Sequence, residues 1–166
     1  LERVNSYPGE GPVFLRSYDG PAGIGLNPEP ALQAAFTYDN ALAAIALRAC
    51  NAIAAARRIG DALLQASQSD RSGVRGRLRN AYRAGPVKEN PVPPMGWWSQ
   101  AEGRWDEDPY QVSTATGNVA WAALALLTLF DATEDRHYLD AAADLARWAK
   151  ADATDAHAPA GFNGGL

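Results

Sequence analysis

The chain has a single cysteine, Cys50, in 166 residues. One thiol closes no internal disulfide and builds no cysteine zinc centre, so its ordinary role is that of a small, partly buried apolar residue in an alanine-rich helix. Histidine is equally scarce. His137 and His157 are far apart in sequence, and no HExxH pattern or Cys/His cluster accompanies them. No metal and no cofactor are therefore expected. Base is not in excess either: 15 Lys and Arg stand against 19 Asp and Glu, a net charge of −4. A nucleic-acid surface needs concentrated cations to displace phosphate counterions, and an anionic membrane offers an acidic domain nothing. No apolar run approaches the ~20 residues that span a bilayer. The longest, Val119 to Leu129, is interrupted by Thr128. A nucleophile elbow is missing, and the glycine-rich Gly20–Gly25 stretch is not followed by the strand-to-helix switch of a nucleotide loop. The first residues show no basic segment leading into an apolar one. Removal of a leader would leave a secreted or periplasmic location open.

What is present is alanine, within an apolar fraction of 47%. That suffices for one core, and the length fits one domain over residues 1–166. Residues 1–36 are punctuated by glycine and proline, which break regular structure. Val13–Tyr18 reads as one short strand, with Phe14, Tyr18, Ile24 and Leu26 anchoring an otherwise ordered loop. Asp39 or Thr37 then supplies a helix-start signal before Ala41–Leu47. This helix is apolar on nearly every side, the mark of burial all round. After a turn at Cys50-Asn51, a second helix places Ile53, Ala56, Ile59 and Leu63 on one face and Arg57, Arg58, Asp61 and Gln65 on the other. Helical periodicity fades over residues 67–112. Leu78–Arg83 reads as a short extended piece, and Pro91, Pro93 and Pro94 exclude a helix.

A second hairpin begins at Thr116-Gly117-Asn118 with the apolar helix Val119–Leu127, and its partner starts near Asp135. Tyr138, Ala142, Leu145 and Ala149 face inward on that partner, while Asp140, Asp144, Arg147 and Lys150 face outward. Ala41–Leu47 aligns without gaps on Ala120–Leu126, and the same offset places Asp61 on Asp140. Two copies of one hairpin, each with a buried first helix and a half-exposed second, predict an all-α fold of stacked helical hairpins in a ring or solenoid, with a plain bundle as the alternative.

The segments Thr37–Leu42, Asp106–Tyr110, Thr116–Leu126 and Gly161–Gly165 together resemble bacterial six-hairpin glycosidase-like proteins, the (α/α)6 toroids of glycoside hydrolases and some polysaccharide lyases. The likeness covers roughly residues 14–166 and matches no single family's signature. It implies an incomplete toroid with long connecting loops, since two hairpins are present where such a ring has six. It also implies partners: self-association, or the rest of a toroid, to cover apolar helix flanks. The substrate class it implies is an oligo- or polysaccharide.

In such toroids the loops before the inner helices converge on a cleft, here the loops 19–39 and 96–118. Glycosidic hydrolysis uses two carboxyl groups, about 5–5.5 Å apart in retaining enzymes and about 6.5–9.5 Å apart in inverting ones. The candidates are Asp39 in the first loop and Asp106, Glu107 and Asp108 in the second. Each has a structural alternative: Asp39 as a helix N-cap, and Asp106–Asp108 as a solvated charge run. Three tryptophans within nine positions, Trp97, Trp98 and Trp105, join Tyr38, Tyr110 and Asn118 as candidate substrate contacts. Flat indoles suit the apolar faces of sugar rings, and the alternative is a cap on the core. Trp121 and Trp148 lie in helical faces and read as core. A non-catalytic glycan-binding domain and a helical-repeat interaction module remain the alternatives to a hydrolase.

Overall fold

A computed structural model describes residues 1–19, 33–157 and 159–165. Among them the elements run α1 (Glu2–Asn5), β1 (Val13–Phe14), β2 (Ala34–Phe36), α2 (Thr37–Ala49), α3 (Ile53–Gln68), β3 (Ala81–Arg83), β4 (Gly85–Pro86), β5 (Trp97–Ser99) and β6 (Arg104–Asp106). They continue with α4 (Pro109–Val112), α5 (Thr116–Thr133), α6 (Arg136–Asp152), β7 (Thr154–Asp155) and β8 (Gly161–Phe162). The two hairpins α2–α3 and α5–α6 are present, and they pack side by side through α2 and α5.

The all-α toroid expected from the sequence is overturned. The fold is mixed α/β, with 48% helix, 15% strand and four small antiparallel sheets among the described residues. The sheets pair β1 with β4, β2 with β3, β5 with β6 and β7 with β8. The reason is physical. Segments broken by proline and glycine cannot sustain a helix, but two- and three-residue pieces such as Val13–Phe14 and Ala81–Arg83 still satisfy their backbone groups by pairing. Pieces this short carry no measurable period, so hydropathy patterning does not fix their bounds or their pairing. The expected strand Val13–Tyr18 contracts to Val13–Phe14, and the extended Leu78–Arg83 to Ala81–Arg83. Ile24 and Leu26 lie outside the described residues.

The first helices are not buried all round. On α5, Val119, Ala122, Ala125, Leu126 and Leu129 are buried, while Trp121, Leu124 and Leu127 are exposed. On α2, Thr37, Asn40, Ala41 and Ala44 are buried, and Tyr38 and Ala46 are exposed. Uniform apolarity permits burial on every side, but among the described residues each of these helices has neighbours on only part of its circumference. Trp121 is correspondingly an exposed residue rather than core, whereas Trp148 is buried. Cys50 is exposed at the end of α2. The turn there is made by Asn51 at φ 59°, a left-handed conformation that asparagine tolerates.

The second helices follow their amphipathic pattern more closely. Ala56, Ile59 and Leu63 of α3 and Tyr138, Ala142 and Leu145 of α6 are buried. Arg58 departs from the pattern. It is buried and donates to the carbonyls of Val4, Tyr7 and Gly11, which fastens the N-terminal segment to α3. The hydroxyl of Tyr138 donates to Asp61 at 2.6 Å, with the Arg57 guanidinium over its ring, so α3 and α6 are also joined. Phe14 stacks on Tyr82 at 4.9 Å between centroids, extending the helical core to the small sheets. Each large side chain so buried contributes about 1.5–3 kcal/mol over its exposed state.

Candidate functional site

The segment after Met95 reverses on itself. Ser99 and Gly103 close the β5–β6 turn, with the Gly103 amide donating to the Ser99 carbonyl at 2.8 Å. Gly103 has φ +62°, which favours glycine. The register places Trp98 directly opposite Trp105. Residues opposed across an antiparallel pair project from the same face. The two indoles therefore share one side of the hairpin, and they are 55% and 42% exposed. Trp105 also lies against Gly96, where an added Cβ would come within 2.5 Å of the ring. Glycine at 96 is thus what lets the indole settle onto the strand. Trp97 is opposed to Asp106 on the other face and is partly buried.

The carboxylates of this segment are engaged. Glu107 is forked by the Arg71 guanidinium and accepts from the Trp105 indole N–H at 3.1 Å. The bonds from Arg71 hold the Glu107 carboxyl below the usual glutamate range against the opposing effect of partial burial. A carboxyl held ionised in this way is poorly suited to donate a proton. Asp106 pairs with Arg104 at 2.9 Å, and the same guanidinium reaches Glu102 at 2.7 Å. Asp108 caps α4, accepting from the Gln111 amide at 3.0 Å, and presents Tyr110 on that short helix, 64% exposed. Asp106–Asp108 is thus more than a solvated charge run.

At the start of the first helices, Asp39 is not an N-cap. The helix begins at Thr37 with Phe36 at the cap, so Asp39 lies in the first turn and is exposed. The Thr37 hydroxyl donates instead to the Arg79 carbonyl at 2.6 Å. Beside it the Tyr38 ring meets Trp121 edge-on at 5.8 Å. Asn118, in the first turn of α5, donates to the Asn80 side-chain oxygen at 2.8 Å.

Asn80 joins these pieces. Its oxygen also accepts from the Ala115 amide, and its nitrogen donates to the Tyr110 carbonyl and the Ser113 hydroxyl. Its own backbone carbonyl accepts from the Thr37 amide at 2.9 Å. The starts of α2 and α5 and the whole of α4 are therefore held at one place. Arg79 supports it from below, with a buried ion pair to Asp70 at 2.7 Å and a bond to the Val112 carbonyl. Asp70, Arg71, Arg79 and Asn80 were not legible in the sequence as site residues. Arg79 and Asn80 stand in the sequence only as two polar residues between Leu78 and Ala81, and Asp70 and Arg71 as part of a polar stretch; neither pattern names a partner. Among the described residues no hydrogen bond joins Asp39 to Asp106, Glu107 or Asp108.

The arrangement offers two aromatic surfaces, Trp98–Trp105 with Tyr110 nearby in sequence, and the Tyr38–Trp121 pair. Among the described residues no group of three or more His, Cys, Asp and Glu side chains is gathered to hold a metal ion. No family profile, characterised protein or solved structure matches the chain.

Proposed function

We propose that this chain is a carbohydrate-active protein that binds an oligo- or polysaccharide on the aromatic shelf formed by Trp98 and Trp105. The observation that carries the reading is the pairing of two indoles directly opposite one another on one hairpin face, each about half in water. Packing demands no such exposure. Half-exposed tryptophan forgoes on the order of 1 kcal/mol of burial, and large exposed apolar groups in a cluster mark contact surfaces. An indole joins a flat apolar face to an N–H, which suits a pyranose ring with its apolar faces and polar rim. The resemblance of the Thr37–Leu42, Asp106–Tyr110, Thr116–Leu126 and Gly161–Gly165 segments to six-hairpin glycosidase-like proteins points to the same substrate class through those segments alone, since the fold is not the all-α toroid of that family.

Titration of tryptophan emission with neutral oligosaccharides tests the reading. The Trp98→Ala/Trp105→Ala double variant, with unchanged far-UV dichroism, is expected to lose at least about tenfold in affinity, the loss of roughly 1.4 kcal/mol. Unchanged affinity in the double variant removes the shelf from the account.

Hydrolysis is the second reading, favoured by the exposed position of Asp39 in the first turn of α2 beside the Tyr38–Trp121 pair. Its partner carboxyl would come from Asp106 or Asp108, with Glu107 held ionised by Arg71. Release of reducing sugar by the wild type and its loss in Asp39→Asn would establish it. Binding without release in both proteins leaves the non-catalytic function standing.

A further inference from the structure

We infer that the Trp98–Trp105 shelf takes glycans without acidic groups, either neutral chains or chains carrying free amines, and excludes uronate and sulfated polymers. The inference rests on the carbohydrate-binding reading and adds the charge class of the ligand. Its basis is where the cations at the shelf are spent. Between Trp97 and Tyr110 four carboxylates, Glu102, Asp106, Glu107 and Asp108, stand against one cation, Arg104. Arg104 lies between Glu102 at 2.7 Å and Asp106 at 2.9 Å. Arg71, which reaches in from outside, is forked by Glu107, and Arg79 behind it is paired with Asp70. Recognition of a sugar carboxylate or sulfate would use an arginine fork, because its planar donors match the anion in a bidentate pair. Both forks at this shelf already hold protein carboxylates.

An acidic glycan would have to displace one of these carboxylates and would still face the remaining negative charge. A neutral chain meets only the indole faces and the polar rim. A chain with free amines adds attraction to Glu102 and Asp106, whose side chains are 55% and 25% exposed. At the surface that attraction is screened, since the Debye length falls from about 30 Å at 0.01 M salt to about 3 Å at 1 M.

The experiment compares three oligosaccharides of equal length: N-acetylglucosamine, glucosamine and galacturonate oligomers. Binding is followed by calorimetry at about 20 mM and about 500 mM salt, where screening is weak and strong respectively. The N-acetylated chain is expected to bind equally at both. The free amine should bind roughly threefold or more tighter at the lower salt, and the uronate should show no binding there. In Glu102→Gln the salt dependence of the amine chain should shrink while binding of the N-acetylated chain is kept. Uronate binding as tight as that of the N-acetylated chain at low salt overturns the inference and leaves the carbohydrate reading intact. An absence of binding by all three oligomers, and by a wider panel of neutral glycans, overturns both.

Discussion

The side-chain oxygen of Asn80 accepts from Asn118 at 2.8 Å, and through this bond the loop before β3 is fixed to the first turn of α5. Asn80 is buried, and its amide group makes four bonds, the full complement for an asparagine side chain. Asn80→Ala removes them together and leaves the Ala115 amide and the Asn118 side chain without their acceptor. Each net bond is worth about 1 kcal/mol, and each orphaned buried group costs about 1–3 kcal/mol. A loss of about 3 kcal/mol is expected, seen as a lower urea midpoint with little change in slope. If the midpoint stays within error of the wild type, water has replaced the amide and the hub is not structural.

The neighbouring ion pair gives a prediction with a sign. Arg79 and Asp70 have side chains 8% and 3% exposed. Burial pushes the Asp70 carboxyl up, but the bonds from Arg79 and Ser72 more than reverse this and hold it below the ordinary value. A carboxyl with a depressed folded pKa binds fewer protons folded than unfolded. Its contribution is therefore complete above the unfolded value near ~3.9 and is lost as pH falls through the lower, folded value. Asp70→Asn should destabilise the protein by about 3–5 kcal/mol at neutral pH, because Arg79 is left buried without its counter-charge. The gap between the two proteins should narrow below pH ~4, in the window set by the unfolded aspartate value. Urea unfolding at a series of pH values checks both statements, and parallel curves across that window would exclude the pair as a source of acid sensitivity.

The helical hairpins were legible because they are long and periodic. Ala56, Ile59 and Leu63 repeat at helical spacing and are buried as that spacing requires. The start of α6 was legible too, since Asp135 accepts from the His137 amide as a cap should. The burial of α2 and α5 was not, because a helix apolar on all sides carries no record of which side has neighbours. Of the strands, β1 and β3 were foreshadowed by the pieces Val13–Tyr18 and Leu78–Arg83, but their pairing was not, because partners such as Phe36 and Ala81 lie far apart in sequence. At the candidate site the aromatic residues were named from their clustering along the chain, three tryptophans within nine positions. The roles of Asp70, Arg71, Arg79 and Asn80 arise from contacts between loops, which local sequence does not encode.

Two glycines in the segment after α3 separate backbone conformation from packing. Gly73 and Gly76 have φ +73° and +80°. Space is open around Gly73, while a Cβ on Gly76 would lie 2.4 Å from the backbone carbonyl oxygen of Asp144 in α6. Gly73→Ala should therefore cost only the left-handed penalty of about 1–2 kcal/mol. Gly76→Ala adds a clash with helix backbone that no rotamer relieves, and about 3 kcal/mol or more is expected in total. Thermal unfolding of the pair distinguishes them, with Gly76→Ala lower by several degrees. Equal melting points would mean that the loop moves away from α6 at little cost.

Glu107 links the charge of one side chain to the indole beside it. The Arg71 fork holds its carboxyl below the usual range, with a smaller contribution from the Trp105 N–H. Protonation of Glu107 takes away the charge that strengthens its acceptance from that N–H and its hold on Arg71, which loosens Trp105 from its place over Gly96. The emission difference between wild type and Trp105→Phe isolates this indole from the other four tryptophans. As pH falls, that difference signal should change only below the ordinary glutamate value of ~4.3. In Arg71→Ala the cation that favours the ionised form is gone, so the transition should move up toward that value. Glu107→Gln should abolish the transition while keeping an acceptor for the indole N–H, because its amide oxygen does not titrate. A transition that persists in Glu107→Gln would assign the pH response to another carboxylate and break the proposed link between Glu107 and the shelf.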